Sequence, residues 1–333
     1  MTAGIGVSIG ISPREPLSEW MKLSAQLEQH GVNRIWLIDS QLAMKDVYAG
    51  LLTAALATDT AELGPGVTNI VTRDPTVTAS AIAAVAELSE GRAVLGIGAG
   101  DSAVKGLGHR PSRISELEEA LTFLRAVLDG GEGTWAGRTY GLPYPVPKVR
   151  LYLAVSQPRM CRLAGALADG AIIMGPAQPE MVSEQVGWVH EGIEVAGRSR
   201  ADVELSFVAP TSVNDDPVAA LEDVRSWASA QARLLADLDP LPAALTKHRD
   251  ELARAHETYD YSEHLSTHAG HQGTVSDALV AKLAIAGTAA SCRDRLRDLH
   301  TDGIDSFVFP LMPPRLKRLE VISGLLAGVG RSA

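Results

Sequence analysis

Glu62-Leu63-Gly64-Pro65-Gly66-Val67-Thr68-Asn69 opens a stretch that passes through Arg73-Asp74-Pro75, at the head of a helical pattern, and returns to Gly96-Ile97-Gly98-Ala99-Gly100-Asp101. It reads as one strand, one helix and a second strand. Both strand runs, Ala61 to Val67 and Ala93 to Ile97, are short and mainly apolar, as in a parallel sheet covered by helices on its outer face. Gly64 and Gly66 carry no Cβ, so the backbone there can turn sharply and approach a planar ligand; taken alone the segment is equally a tight strand-to-helix turn. The second glycine run invites a dinucleotide-binding reading and fails its test. The third glycine of that fingerprint falls at Asp101, and the acidic residues that follow, Glu116, Glu118 and Glu119, lie within a helix instead of at a strand end.

Working outward, the same unit recurs. Strand-length runs are found at Ile5 to Ile11, Arg34 to Ile38, Arg150 to Val155, Ala171 to Met174, Val203 to Val208 and Ile304 to Phe309, which with the first two make eight. Helical patterns lie between them. Ile114, Leu117, Leu121, Leu124 and Leu128 follow one stripe behind a capping box expected at Ser115 and Glu118, and Gly130-Gly131 ends that helix. Trp20, Leu23 and Leu27 form another stripe before Gly31, and a late helix runs from about Ala289 to Thr301. Eight β/α units in 333 residues fit a closed (β/α)8 TIM barrel, an α/β fold spanning 1–333 as a single domain, better than an open doubly wound sheet. Two segments interrupt the rhythm, 134–148 and 240–276, and are read as insertions at the C-terminal face, where the active sites of this fold lie. The second is either a lid over a substrate or a packing or dimer-contact element.

Composition narrows the function classes. A net charge of −10 with no long basic run disfavours a nucleic-acid or anionic-membrane partner. No apolar stretch is long enough to span a bilayer and the N-terminus has no signal-peptide pattern, so a cytoplasmic location is expected. Cys161 and Cys292 sit in helical patterns without ligand spacing and read as buried, structural thiols. His264, His268 and His271 lie beside Tyr259-Asp260-Tyr261; with no H-E-x-x-H and with Gly270 and Gly273 interrupting the helix, no metal is expected there.

The residues from Glu62 to Asp101 resemble the luciferase-like superfamily, and within it the branch of F420-dependent methylenetetrahydromethanopterin reductases. Gly64 to Asn69, Thr78-Ala79-Ser80-Ala81-Ile82-Ala83, Glu87-Leu88-Ser89, Gly91-Arg92-Ala93 and Leu95-Gly96-Ile97-Gly98 carry the resemblance. Weaker echoes occur at Ala168-Asp169-Gly170-Ala171, Glu194 to Arg198, Ala286-Gly287-Thr288 and Gly303-Ile304-Asp305. It implies a barrel that holds the deazaflavin coenzyme F420, with a non-proline cis peptide between Gly66 and Val67 supporting one ring face. It further implies Asp39, Ser40, Thr68, Asn69 and Gly98 around the ring, Ser156, Gln157, Gly175 and Ala177 along the side chain and phosphate, and a homodimer.

F420 chemistry is hydride transfer at C5 of the ring, so the protein's task is orientation and placement of a proton donor. Asp101 is the candidate donor or substrate anchor, its acidity expected to be weakened against an apolar ring; Asp39 is the second catalytic candidate. Ser8 and the three histidines are candidate substrate contacts. Ser40 stands where members often carry His after the Asp, and Ser8 where the methanopterin branch carries Glu. The acceptor is accordingly left open among a pterin-like imine, a ketone, an activated alkene and a nitro compound. An FMN-dependent monooxygenase and a non-catalytic F420 carrier or sensor are the alternatives.

Overall fold

The computed structural model describes residues 3–236, 238, 241–260, 273–327 and 329. Nine parallel strands form the sheet: β1 Gly4–Ile9, β2 Arg34–Leu37, β3 Glu62–Pro65, β4 Thr68–Asn69, β5 Val94–Gly98, β6 Arg150–Val155, β7 Gly170–Ile173, β8 Glu204–Val208 and β9 Ser306–Pro310. Their order is β3-β2-β1-β9-β8-β7-β6-β5-β4. The two ends of that order are consecutive pieces of one chain segment, and a Leu63 to Ala93 bridge joins β3 to the start of β5, so the sheet closes into an eight-stave TIM barrel. The third stave, expected as one strand from Ala61 to Val67, is thus broken at Gly66-Val67, where the peptide is cis.

Alternation along each strand sorts side chains into an inner and an outer set. Trp36, Val94, Tyr152, Ile172, Val208 and Val308 fill the inside, with Trp36 and Tyr152 edge to face at 5.3 Å. The outer residues, among them Ile35, Leu63, Ile97 and Phe307, pack under the helices as the main core. Below the inner layer the strand starts supply charge. Arg34 donates to Glu62 at 2.7 Å and to both oxygens of Glu204 at 2.9 and 3.0 Å; Arg150 reaches the same two carboxylates. Tyr152 and Ser306 also donate to Glu204, at 2.7 and 2.8 Å. Burial works against the Glu204 charge, but Arg34 and these donors hold the carboxyl well below its usual range.

Helix starts follow the sequence with one correction. Asp74 caps Pro75–Leu88 by accepting from the Thr76 N–H at 2.8 Å. Helix Ile114–Leu128 uses a different box from the one expected: Glu116 reaches back to the Arg113 N–H at 2.7 Å, because the helix begins two residues earlier than a cap at Ser115 requires. Both cysteines are buried and free. Burial pushes the Cys161 thiol up to about 12, which leaves it protonated and inert.

Glu28, at the end of helix Leu17–Gln29, holds the loop that enters β3. Its carboxylate accepts from the N–H groups of Asp59, Thr60 and Ala61 at 2.9, 2.6 and 2.6 Å. Partial burial opposes the charge, yet these donors bring the carboxyl down to about 2. A depressed folded pKa contributes stability above the ordinary value of 4.5 that is lost as pH falls toward about 2. Glu28→Gln is therefore expected to cost about 1 kcal/mol at neutral pH. In denaturant melts at stepped pH the gap between variant and wild type should close below pH 4.5; a constant gap would contradict this.

The insertions differ in character. The first contains the hairpin Gly133–Trp135 and Arg138–Tyr140, tied down where Trp135 donates to Asp74 at 3.1 Å. The second is wider than 240–276. It begins beyond β8 with a short strand, Thr211–Val213, paired in parallel with Ile285–Gly287, and the helices Pro217–Leu235, Arg249–Glu257 and Asp277–Leu283 lie between the two. These share a second core of Val224, Ala228, Leu245, Leu252, Leu279 and Leu283, while Ala289–Thr301 supplies the ring helix before β9. Three-residue strands have too few alternations to register as period-two patterns. No described helix is long and apolar enough to cross a membrane.

Candidate functional site at the mouth of the barrel

The C-terminal ends of the strands bring most of the expected residues together. Register pairs Asn69 with Gly98 on the inner face and Thr68 with Ile97 on the outer one. The Val67 side chain lies across β5: a Cβ on Gly96 would stand 3.2 Å from its Cγ1, and one on Gly98 would stand 3.0 Å from its Cγ2. Gly64 and Gly66, read as either a ligand approach or a tight turn, also leave room for neighbouring protein atoms. A Cβ on Gly64 would meet the Val94 carbonyl oxygen at 2.1 Å and one on Gly66 the Trp36 Cβ at 2.5 Å.

Asp39 and Thr68 brace this floor. Thr68, fully buried, donates to Asp39 Oδ2 at 2.7 Å, and Arg73 donates to the same oxygen at 2.9 Å and to Oδ1 at 3.3 Å. Arg73 also reaches Asp46, the cap of helix Val47–Ala55, at 2.7 Å. The Asp39 carboxylate is therefore committed to holding β4. Asn69 spends its amide oxygen on the Val71 and Thr72 N–H groups at 3.0 and 2.8 Å, and its amide nitrogen has no acceptor among the described residues. Ser40 is half-buried; Ser8, in register with Trp36 and so on the inner face, is buried.

Opposite lie the ends of β6 and β7. Gln157 precedes helix Pro158–Leu167 and Gln178 precedes helix Pro179–Val195, and neither side chain caps its helix. Two helix starts thus present uncapped N–H groups, the geometry that accepts a phosphate. Ala177 stands two residues before the second helix, fully buried, its carbonyl accepting from Arg295. The space above Gly175 belongs to Gln185, a residue that carries no signal in the sequence.

Asp101 is placed at the mouth, with surroundings other than expected. In place of an apolar contact it has two cations: Arg233 grips both oxygens, one at 3.0 Å, and Lys105 lies at 3.4 Å. Arg233 comes from helix Pro217–Leu235, is 2% exposed and lies 4.4 Å over the Tyr259 ring. The second insertion is thereby clasped to the mouth. Arg233→Met and Asp101→Asn are expected to couple by about 1.5 kcal/mol in a double-mutant cycle of unfolding, strictly additive losses being the contrary result. His264, His268 and His271 lie outside the described residues, among which no cluster of three or more His, Cys, Asp or Glu could hold a metal.

Two surface cavities lie away from this mouth, one beside Glu118, Glu119 and Thr134 and one at the strand starts among Arg150, Arg200 and Glu204. Converging polar groups mark the candidate site. The model of the luciferase-like monooxygenase family matches residues 2–306. The chain is 27% identical over 332 residues to a 5,10-methylenetetrahydromethanopterin reductase of Methanolobus tindarius, covering 95% of this chain and 98% of the relative. Its fold is similar to the F420-dependent tetrahydromethanopterin reductase of Methanopyrus kandleri, with a TM-score of 0.78 at 22% identity over 97% of this chain and 98% of that one. It is also similar to an F420-dependent secondary alcohol dehydrogenase solved with an F420-acetone adduct, with a TM-score of 0.76 at 19% identity over 99% and 100% of the two chains.

Proposed function

We propose, from the premise that this chain belongs to the luciferase-like monooxygenase family, that it is an F420-dependent oxidoreductase transferring a hydride between the deazaflavin C5 and a small organic molecule. The observation that carries the reading is the mouth itself: a braced strand end at Gly66-Val67 faces two uncapped helix starts across the barrel. One side offers a surface for a planar ring and the other N–H donors for an anionic end, so the residues present fit the cofactor. When bound, F420 supplies hydride chemistry. The chain's own residues then orient it: Asp39, Thr68 and Arg73 fix the floor, Val67, Asn69 and Gly98 line it beside Ser40, and Gln157, Gly175 and Ala177 bound the phosphate end with Ser156.

Ser8, the Asp101–Arg233 pair and Tyr259 bound the acceptor side in this reading; His264, His268 and His271 are proposed as further substrate contacts from the sequence alone. Asp101, held by Arg233 and Lys105, serves as substrate anchor rather than as proton donor. The acceptor is a pterin-like imine, ketone, alkene or nitro compound. The repeated β/α units support a single domain over 1–333 and the sequence patterns a cytoplasmic location, while the resemblance supports a homodimer, which sedimentation tests.

Titration of the purified protein with F420 and with FMN, followed by reduced F420 and the four acceptor classes under anaerobic conditions, separates the possibilities. Tight F420 binding with loss of the reduced cofactor in the presence of one acceptor is expected. FMN binding without F420 binding would indicate the oxygen-using alternative, and F420 binding without any turnover the carrier.

A further inference from the structure

The far end of the site is shaped by a side chain that stands behind it. Gln185, within helix Pro179–Val195, is 5% exposed, and its Nε2 donates to the carbonyls of Ser156 at 3.1 Å and Met174 at 3.2 Å. Both partners being acceptors, the amide must turn its NH2 toward them. Across a trans peptide the carbonyl and the following N–H point in opposite directions. Drawing the Ser156 and Met174 carbonyls back to the helix therefore turns the N–H groups of Gln157 and Gly175 forward, into the mouth.

Two further observations agree. Gly175 is buried, yet neither its N–H nor that of Gln157 has an acceptor among the described residues. Buried N–H groups are nearly always paired, so a ligand is the natural partner for this one. Moreover, a Cβ on Gly175 would stand 2.6 Å from Gln185 Oε1 and 3.0 Å from its Nε2. That space is needed by the amide, whose Oε1 is itself buried without a donor among the described residues.

We infer that Gln185 is a positioning residue for phosphate recognition: it sets two peptide planes, Ser156-Gln157 and Met174-Gly175, so that their N–H groups converge on the anionic end of the cofactor, and Gly175 is glycine to admit it. The inference rests on the reading of this mouth as a phosphate-bearing cofactor site. It is tested by fluorescence titration of wild type, Gln185→Met, Gly175→Ala and the double variant with F420 and with the phosphate-free deazaflavin riboside. Gln185→Met should weaken F420 about tenfold and the phosphate-free ligand less than about twofold. Gly175→Ala, which displaces the amide while leaving the helix core intact, should show the same selectivity. The double variant should be no worse than the worse single one, since a flexible Met leaves room for the new Cβ. Equal losses on both ligands, or an unchanged F420 affinity, would overturn the role of Gln185. Failure of the wild type to bind any deazaflavin would sink the cofactor reading alone; the same proteins with FMN and riboflavin, which differ only by a terminal phosphate, then test the role of Gln185, and binding of neither pair overturns both.

Discussion

Asp39→Ala is expected to lower kcat/KM for F420-dependent turnover by on the order of 10²-fold, the loss typical of a reacting geometry displaced by about 1 Å. The carboxylate is 7% exposed and serves three donors, two on Oδ2. Without it the Thr68 hydroxyl is buried with no acceptor and Arg73 swings to Asp46, so the strand end carrying Val67 and Asn69 loses its brace. Stability should fall by about 2 kcal/mol, less than for a fully enclosed ion pair because Arg73 keeps a second partner and some access to water. Asp39→Asn separates bracing from charge. An amide oxygen at the Oδ2 position retains Thr68 and Arg73 Nε and forfeits only the 3.3 Å contact, so most of the stability and turnover should return. Restored thermal stability with turnover still at the alanine level would show that the negative charge acts directly on the reaction.

The glycines of the floor should divide sharply. Gly64→Ala places a methyl 2.1 Å from a backbone oxygen of Val94, in a wall where neither strand can retreat without breaking the barrel register. A loss above about 4 kcal/mol is expected, with little folded protein at 37 °C. Gly98→Ala meets only side chains, Val67 at 3.0 Å and Ala154 at 3.5 Å. It should cost about 1 kcal/mol in stability while shifting Val67, so cofactor affinity falls far more than the melting temperature. Circular dichroism melts beside F420 titrations check the pair, and equal stability losses would contradict the assignment.

The barrel is legible in the sequence because each stave and its helix are local patterns, and the cofactor-side loop because its glycines, Asp74 and Pro75 are adjacent in the chain. What stays hidden depends on distant partners. Asp101 meets Arg233 across 132 positions, and the Arg34, Glu62, Arg150 and Glu204 network gathers first residues of four strands. No spacing rule announces either. Gln185 reads as an ordinary mid-helix polar residue until the strand ends behind it are placed. The glycines stand out in the chain but their reason does not, since a missing Cβ looks the same in sequence whether a ligand or a tryptophan takes the space.

The small parallel pair Thr211–Val213 and Ile285–Gly287 makes the second insertion an interchangeable cassette. The chain leaves and re-enters the barrel within a span of about 10 Å, the width of two neighbouring strands and their short rise. Among the described residues, the enclosed helices carry their own core and meet the mouth through Arg233, stacked on Tyr259, and through the Lys282 carbonyl, which accepts from Gln178. Exchange of this cassette at its stem would therefore alter the acceptor side while leaving the Asp39–Thr68–Arg73 brace, which lies outside it, in place.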